Sequence, residues 1–249
     1  MIAERIRQAR LAAGFTQEQL ADTVEMTKQV ISKYENDKSE PNASVIIKLA
    51  RALNQEPGYF LRQPQTRVDW MGYRSRANLG VKAREGIQYR AETYVEQYVS
   101  LAEKLAMEHV ETLPRGQTVR TVDEAEVLAA SVRQAWSLDH VPIDDITRLV
   151  EMKGGIVFGE QSDPNTRFDG LSGWISGKRP VVVLNLSMPT DRRRFSLAHE
   201  LAHLLMDDAS NTHQDVEKFA NRFAGAFIVS KEAAHQELGF HRRALDLNE

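Results

Sequence analysis

The run His199-Glu200-Leu201-Ala202-His203 constrains this chain more than any other stretch of it. Two histidines four residues apart share a face of an α-helix, because four residues make slightly more than one turn. Phe195, Leu197, Ala198, Leu201, Ala202, Leu204 and Leu205 surround them with helix formers or apolar packing residues, and no Pro or Gly interrupts. Two imidazole nitrogens on one face suit a divalent metal. A glutamate beside the first histidine suits removal of a proton from water that such a metal activates. The expectation is a helix carrying half of a metal centre.

A catalytic zinc usually takes three protein ligands and a water, so a third ligand is needed. The arrangement with a histidine ten positions after His199 is excluded, since that residue is Ala209. Asp207, Asp208, His213, Asp215 and Glu217 lie within reach. Glu217 is favoured because it opens a second helical run in which Val216, Phe219, Ala220, Phe223 and Ala224 form an apolar stripe. The polar residues between Met206 and Asp215 read as a loop, so the helices fold back antiparallel and Glu217 faces the histidines. His213, in that loop, is the weaker choice. The expected site is Zn2+ held by His199, His203 and Glu217, with Glu200 as general base.

The 249 residues leave room for one large or two modest domains, and 42% hydrophobic with 27% charged residues suits a globular chain. There is no cysteine, which excludes thiolate zinc sites and disulfides. The N-terminus lacks the apolar core of a signal peptide and no apolar run approaches membrane-spanning length. A cytoplasmic protein with no membrane partner is expected. The net charge of −3 hides an asymmetry: residues 1–62 carry +1, residues 63–90 carry +4, and the remainder carries −8. A basic front on an acidic body suits DNA binding by the front.

That front reads as short helices. Ile2, Ile6, Ala9 and Leu11 line one helix that Gly14 ends; Thr16-Gln17-Glu18-Gln19 is a capping box opening a second, through Val24. Thr27 caps a third from Lys28 to about Glu35, burying Val30, Ile31 and Tyr34, and Asn42 caps a fourth with Val45, Ile46, Leu49, Ala50 and Leu53 inward. Such a bundle contains a helix-turn-helix. The residues Arg5-Ile6-Arg7-Gln8-Ala9-Arg10, Gly14 to Ala21, Val30 to Glu35 and Pro41 resemble the XRE/Cro family of DNA-binding domains across almost all of residues 1–62. The resemblance implies a recognition helix starting at Thr27-Lys28, with Lys28, Gln29, Ser32 and Lys33 toward the major groove of an operator. Gln29 suits adenine, Lys28 or Lys33 suits guanine or phosphate, and Gln17 offers its backbone amide to a phosphate.

It also implies a homodimer, since one short helix reads few base pairs. Ile87, Ala91, Tyr94, Tyr98, Leu101 and Leu105 form a heptad-like seam that could serve, or could pack on the chain's own C-terminal domain. The basic residues Arg67, Arg74, Arg76, Lys82 and Arg84 suit tracking of a DNA backbone, or a solvated linker.

From Thr121 the pattern is mixed. Thr121 opens a capping box for a helix with Ala125, Leu128, Ala129, Val132 and Trp136; Pro142 starts another with Ile146, Leu149 and Val150, stopped by Gly154-Gly155. Ile156–Phe158, Gly170–Ile175 and Val181–Asn185 read as strands, with Lys178-Arg179-Pro180 in the second turn, and the HExxH helix follows Pro189. A peptide substrate could add to an edge of this sheet near the metal, but the sequence does not say which strand is at the edge.

Pro142-Ile143-Asp144, Gly155-Ile156-Val157, Asp169 to Trp174, Arg194 to His203, Glu217 and Ala220 to Ala224 resemble the ImmA/IrrE metallopeptidase family over roughly residues 140–228. The resemblance implies His199, His203 and Glu217 as zinc ligands and Glu200 as catalytic base, and fusion to an XRE domain recurs in bacteria and their phages. Two departures stand out. Family members often carry Leu-Met-Pro where this chain has Phe227-Ile228-Val229-Ser230, and fused relatives continue with a further helical segment where this chain ends at Glu249. Substrate-binding elements from such a tail are expected to be missing.

The sequence thus predicts a multidomain chain: an all-α helix-turn-helix bundle at 1–62, a basic linker with a long dimerising helix at 63–110, and an α+β zincin-like metallopeptidase domain at 111–249. The expected function is a DNA-binding repressor with a zinc-dependent endopeptidase that cleaves a partner repressor, a toxin or itself, in a stress or phage/toxin-antitoxin response. The alternative is a non-proteolytic antitoxin or repressor whose zincin-like domain binds a partner protein.

Overall fold

Helix α1 (Ile2–Ala12) turns Ile6, Ala9 and Leu11 inward and ends before Gly14, whose φ of +75° reverses the chain at little cost to a residue without a Cβ. A computed structural model describes residues 1–63, 66–71, 80–106, 113–161, 168–207 and 211–239. They fall into two units. The first holds residues 1–67 and the long helix that starts at Val81; the second holds the strand at Val68 and the chain from Leu113 onward.

In the first unit, α2 (Gln17–Thr23), α3 (Lys28–Glu35) and α4 (Ala43–Ala52) follow α1, then a 3-10 turn at Pro57–Leu61. Ile6, Leu20, Ile31, Leu49 and Phe60 meet in the core, one from each segment, none with any exposed surface. Both halves of the capping box at Thr16 and Gln19 form, and Asn42 accepts from the Val45 amide at 3.0 Å. Thr27 precedes α3 as expected, but its side chain makes no capping bond; its carbonyl accepts from the Val30 and Ile31 amides instead.

Helix α5 (Val81–Lys104) belongs to this unit, packed on α1. Gly86 permits the approach: a Cβ there would lie 2.9 Å from the Leu11 carbonyl oxygen. Arg90 Nη1 donates to Ala12 O at 2.7 Å, and the buried Arg5 guanidinium donates to both Glu96 oxygens, at 2.8 and 2.6 Å. This corrects the expected seam. Ile87, Ala91 and Val95 are buried, so the inward stripe steps by four, whereas Tyr94, Leu101 and Leu105 are exposed on another face. The six named residues do not share one face, because Ile87 and Ala91 are buried in a helix that packs on α1 while Tyr94, Leu101 and Leu105 are exposed. Arg74 and Arg76 lie outside the described residues.

The second unit is a four-stranded sheet with helices. Strand β1 (Val68–Trp70) was not anticipated, being three residues inside a segment that reads as a basic linker. Helices α6 (Val122–Ala135) and α7 (Ile146–Met152) lead to β2 (Ile156–Glu160), β3 (Gly170–Ile175) and β4 (Arg179–Asn185). The order is β1-β3-β4-β2, with β2 parallel to β4 and the other pairs antiparallel. Helix α7 starts later than Pro142, because Asp145 is the cap and accepts from the Arg148 amide at 3.0 Å. Arg179 and Pro180 fall inside β4 rather than in the turn before it.

Helices α8 (Thr190–Leu205) and α9 (His213–Ile228) pack on each other and, with α6, bury Leu197, Leu201, Leu204, Leu205, Phe223 and Phe227 completely. Helix α9 starts earlier than read, at His213, since Thr212 caps it by accepting from the Asp215 amide. Ser230 caps a further helix α10 (Lys231–Leu238) by accepting from the Ala233 amide. Among the described residues, no helix is long and apolar enough to cross a membrane.

Candidate metal centre

Helix α8 is buried from Ser196 to Leu205 because it lies between the sheet and α9, so His199, Glu200 and His203 are only 5%, 6% and 9% exposed. Its start is pinned by Arg194, which donates to the carbonyls of Asp144 and Ile143, and by Arg192, which pairs with Asp169 at 3.1 Å. Its end is pinned by Gln117, whose amide donates to Leu205 O at 2.9 Å. The helix cannot rotate about its axis without breaking these ties, and its histidines face α9.

Glu217, in the second turn of α9, meets them. His199 Nε2 and His203 Nε2 are 3.0 Å apart, and each lies within 3.5 Å of a Glu217 oxygen, at 3.5 and 3.4 Å. The two imidazoles hold the Glu217 carboxyl well below the usual carboxylate range, against the opposing effect of burial. Among the described residues these three form the cluster of potential metal ligands. Asp207, His213 and Asp215 stand outside it, and Asp208 lies outside the described residues.

The arrangement fits a tetrahedral cation. Ligand atoms about 2.0–2.1 Å from zinc are spaced about 3.3 Å along a tetrahedron's edge; the histidine nitrogens are 3.0 Å apart, and each lies 3.4–3.5 Å from one of the two Glu217 oxygens. Glu217 Oε1 is buried without a hydrogen-bond partner among the described residues, and faces His203 Nε2 at 3.4 Å. Such an acceptor is costly unless a cation satisfies it. Asn221, one turn beyond Glu217, sets the tautomer: its Oδ1 can only accept, so His199 Nδ1–H donates to it at 3.0 Å and leaves Nε2 with a lone pair toward the cluster.

Glu200 is held from the sheet side. Ser172 Oγ donates to Glu200 Oε2 at 2.7 Å, and Gly170 leaves room for the carboxylate, since a Cβ there would lie 2.9 Å from Glu200 Cγ. Neither Ser172 nor Asn221 is among the site residues expected from the sequence. The signal for both was available: a serine at the centre of a glycine-flanked strand, and a polar residue one helical turn after a ligand.

In the first unit, Lys28, Gln29 and Lys33 are exposed on α3 and Ser32 is half-buried. Gln17 does not reach outward with its side chain; its Nε2 donates to Glu35 at 2.8 Å, which leaves its backbone amide at the start of α2 for a phosphate. Glu35 also accepts from Arg10 Nε at 2.5 Å and Nη2 at 2.9 Å, joining α1, α2 and α3.

Comparison with known proteins agrees on both halves. Residues 6–60 match the helix-turn-helix family model, and residues 152–247 match that of the IrrE N-terminal-like domain. The chain joins a helix-turn-helix domain to an IrrE N-terminal-like domain. The chain is 30% identical over 69 residues to the SPbeta prophage-derived uncharacterized HTH-type transcriptional regulator YonR of Bacillus subtilis, covering 28% of this chain and 64% of that one. It is also 30% identical over 60 residues to the HTH-type transcriptional regulator ImmR of the same organism, covering 24% and 47%. The chain therefore spans less than two thirds of the length of these relatives. No solved structure matches it. The IrrE-like match contains all three clustered residues and Glu200.

Proposed function

We propose that this chain is a cytoplasmic transcriptional repressor whose IrrE-like domain is a zinc-dependent endopeptidase. The observation that carries the reading is the convergence of His199, His203 and Glu217 from two helices beside the buried Glu200. Two relatives named as transcriptional regulators support the DNA-binding half.

Zinc held by the three residues would polarise a scissile carbonyl and lower the pKa of the attacking water. Asn221 orients the His199 ring, and Glu217 supplies the negative charge that such a cation needs. Ser172 engages Glu200 Oε2, which leaves Oε1 to take the proton from the attacking water and return it to the leaving amine. The protein target is a partner repressor, a toxin or the chain itself, and its cleavage lifts repression at the operator read by Lys28, Gln29, Ser32 and Lys33. Two copies bind through the outer face of α5, at Leu101 and Leu105. A full-size sedimentation mass in L101E/L105E rejects that contact.

The test is output from the promoter upstream of this gene, with wild-type protein or Glu200→Gln, before and after DNA damage. Release by wild type and continued repression by Glu200→Gln is the expected result. Equal repression by both under every stress replaces the peptidase reading with that of a repressor, or an antitoxin, whose IrrE-like domain holds a partner without cutting it.

A further inference from the structure

Strand β3 has two long edges. β4 covers one from Gly170 to Ile175; the other carries only the short β1, from a part of the chain that precedes the IrrE-like match by more than eighty residues. The register sets Val68 opposite Ile175, Asp69 opposite Trp174 and Trp70 opposite Gly173, and the Met71 amide then donates to Ser172 O at 2.7 Å. The segment is thus an extended antiparallel backbone that ends opposite Ser172, whose side chain holds Glu200.

Gly173 makes that edge receptive. A Cβ there would lie 2.7 Å from Val68 Cγ1, 2.9 Å from Asp69 O and 3.0 Å from Trp70 Cα. A glycine inside a strand weakens it and marks a place where another backbone approaches closely. Val68 is 3% exposed and Met71 packs against the core from the opposite face, while Asp69 is exposed, so the two ends of the segment are held and Asp69 is not.

We infer that the outer edge of β3, residues 172–175, is a receptor for an extended peptide, and that residues 68–71 of the same chain occupy it as an internal competitor. The inference rests on the proposed peptidase reading and deepens it. A substrate is then an extended, proline-free segment with a small β-branched residue opposite Ile175 and an apolar one opposite Ser172. It engages chiefly by main-chain bonds, as strand addition does. It must first displace β1, which keeps the site closed to unselected peptides.

The test uses the full chain in a Glu200→Gln background with zinc present, and the anisotropy of a fluorescein-labelled peptide of residues 66–71. The alternation of antiparallel pairs puts the amides of both Asp69 and Met71 in ladder positions. D69P/M71P therefore removes the internal strand's bonds and is expected to tighten peptide binding at least about tenfold, as loss of an intramolecular competitor should. Adding Gly173→Ala, which fills the receiving edge, is expected to abolish the gain. Should D69P/M71P fail to fold by circular dichroism, Val68→Ser replaces it, with an expected gain of about threefold from the lost apolar contact. Peptide binding no tighter than in the parent, in whichever folded variant is measured, overturns the inference. So does a gain that survives Gly173→Ala. Because binding is read without turnover, a gain accompanied by no cleavage in chains that retain Glu200 supports the receptor edge and removes only the peptidase reading.

Discussion

Glu35→Ala removes the carboxylate that ties three helices of the DNA-binding unit together, and its cost can be worked from the contacts. The Glu35 side chain is 3% exposed and that of Arg10 is 8% exposed, so the pair is screened little by water. Without Glu35, the Arg10 guanidinium keeps its bond to Phe15 O at 2.9 Å but loses its counter-charge, and the Gln17 amide loses its acceptor. Breaking a buried pair by removing one partner costs about 3–5 kcal/mol, a large part of the ~5–15 kcal/mol that a domain possesses. At about 4–8 °C per kcal/mol for a unit of this size, the melting midpoint falls by roughly 12 °C or more. The assay separates the two units. All three tryptophans, Trp70, Trp136 and Trp174, belong to the C-terminal unit, so their fluorescence reports that unit, whereas circular dichroism reports helices in both. Glu35→Ala should lower the first dichroism transition and leave the fluorescence transition in place. R10M/E35L, which replaces both charges by apolar groups, should recover most of the loss. A dichroism shift below about 4 °C, or an equal shift in fluorescence, refutes the reasoning.

Asn221→Ala should weaken zinc binding about five- to tenfold in competition with a chromophoric chelator, at the low end for such partners because the exposed Asn221 can be replaced by water. Asn221→Asp should bind at least as tightly as wild type, and unchanged affinity in Asn221→Ala would reject its orienting role. Zinc at one hundred times its Kd adds about 2.7 kcal/mol, so chelation should lower the tryptophan-fluorescence midpoint by roughly 5–10 °C in wild type and not at all in H203A/E217A. On operator DNA, Lys33→Ala should flatten the logarithmic salt dependence by about 0.9, as loss of one phosphate contact does. Gln29→Ala should instead relax preference at one base pair by about 1–3 kcal/mol with little change in slope.

The helices were legible where their ends carry chemistry. Thr16, Asn42 and Thr121 each accept from a backbone amide three residues on, and these caps mark true starts; Thr212 does the same for α9 inside a stretch that reads as loop. Where the cap is weaker or elsewhere, the boundary moved: Asp145 rather than Pro142 begins α7. Strand β1 was illegible for a physical reason. Its three residues have no alternation long enough to display, and what makes them a strand is the vacant edge of β3 at Gly173, more than a hundred positions away. The face of α5 was misread because residues at spacings of three and four describe a stripe without naming its partner; Gly86 and Arg90 in the same helix bring it onto α1.

At the candidate site, the ligand set was legible because helical spacing alone places His199 beside His203, and an antiparallel return places Glu217 opposite them. The supporting residues were not, since they act across elements. Ser172 reaches Glu200 from the sheet and Asn221 reaches His199 from α9. Together they hold two side chains that are neighbours in sequence from two different elements. His199 is held by α9 and presents a lone pair to the cluster, whereas Glu200 is held by β3 at the edge where an extended backbone runs. Helix α8 therefore sits between a metal-binding wall and a peptide-binding wall, and the single residue step from His199 to Glu200 connects them. A site assembled this way depends on the sheet as much as on the metal ligands. Disturbing Ser172 or Gly173 should impair handling of peptide while zinc affinity stays intact, and disturbing Asn221 should do the reverse.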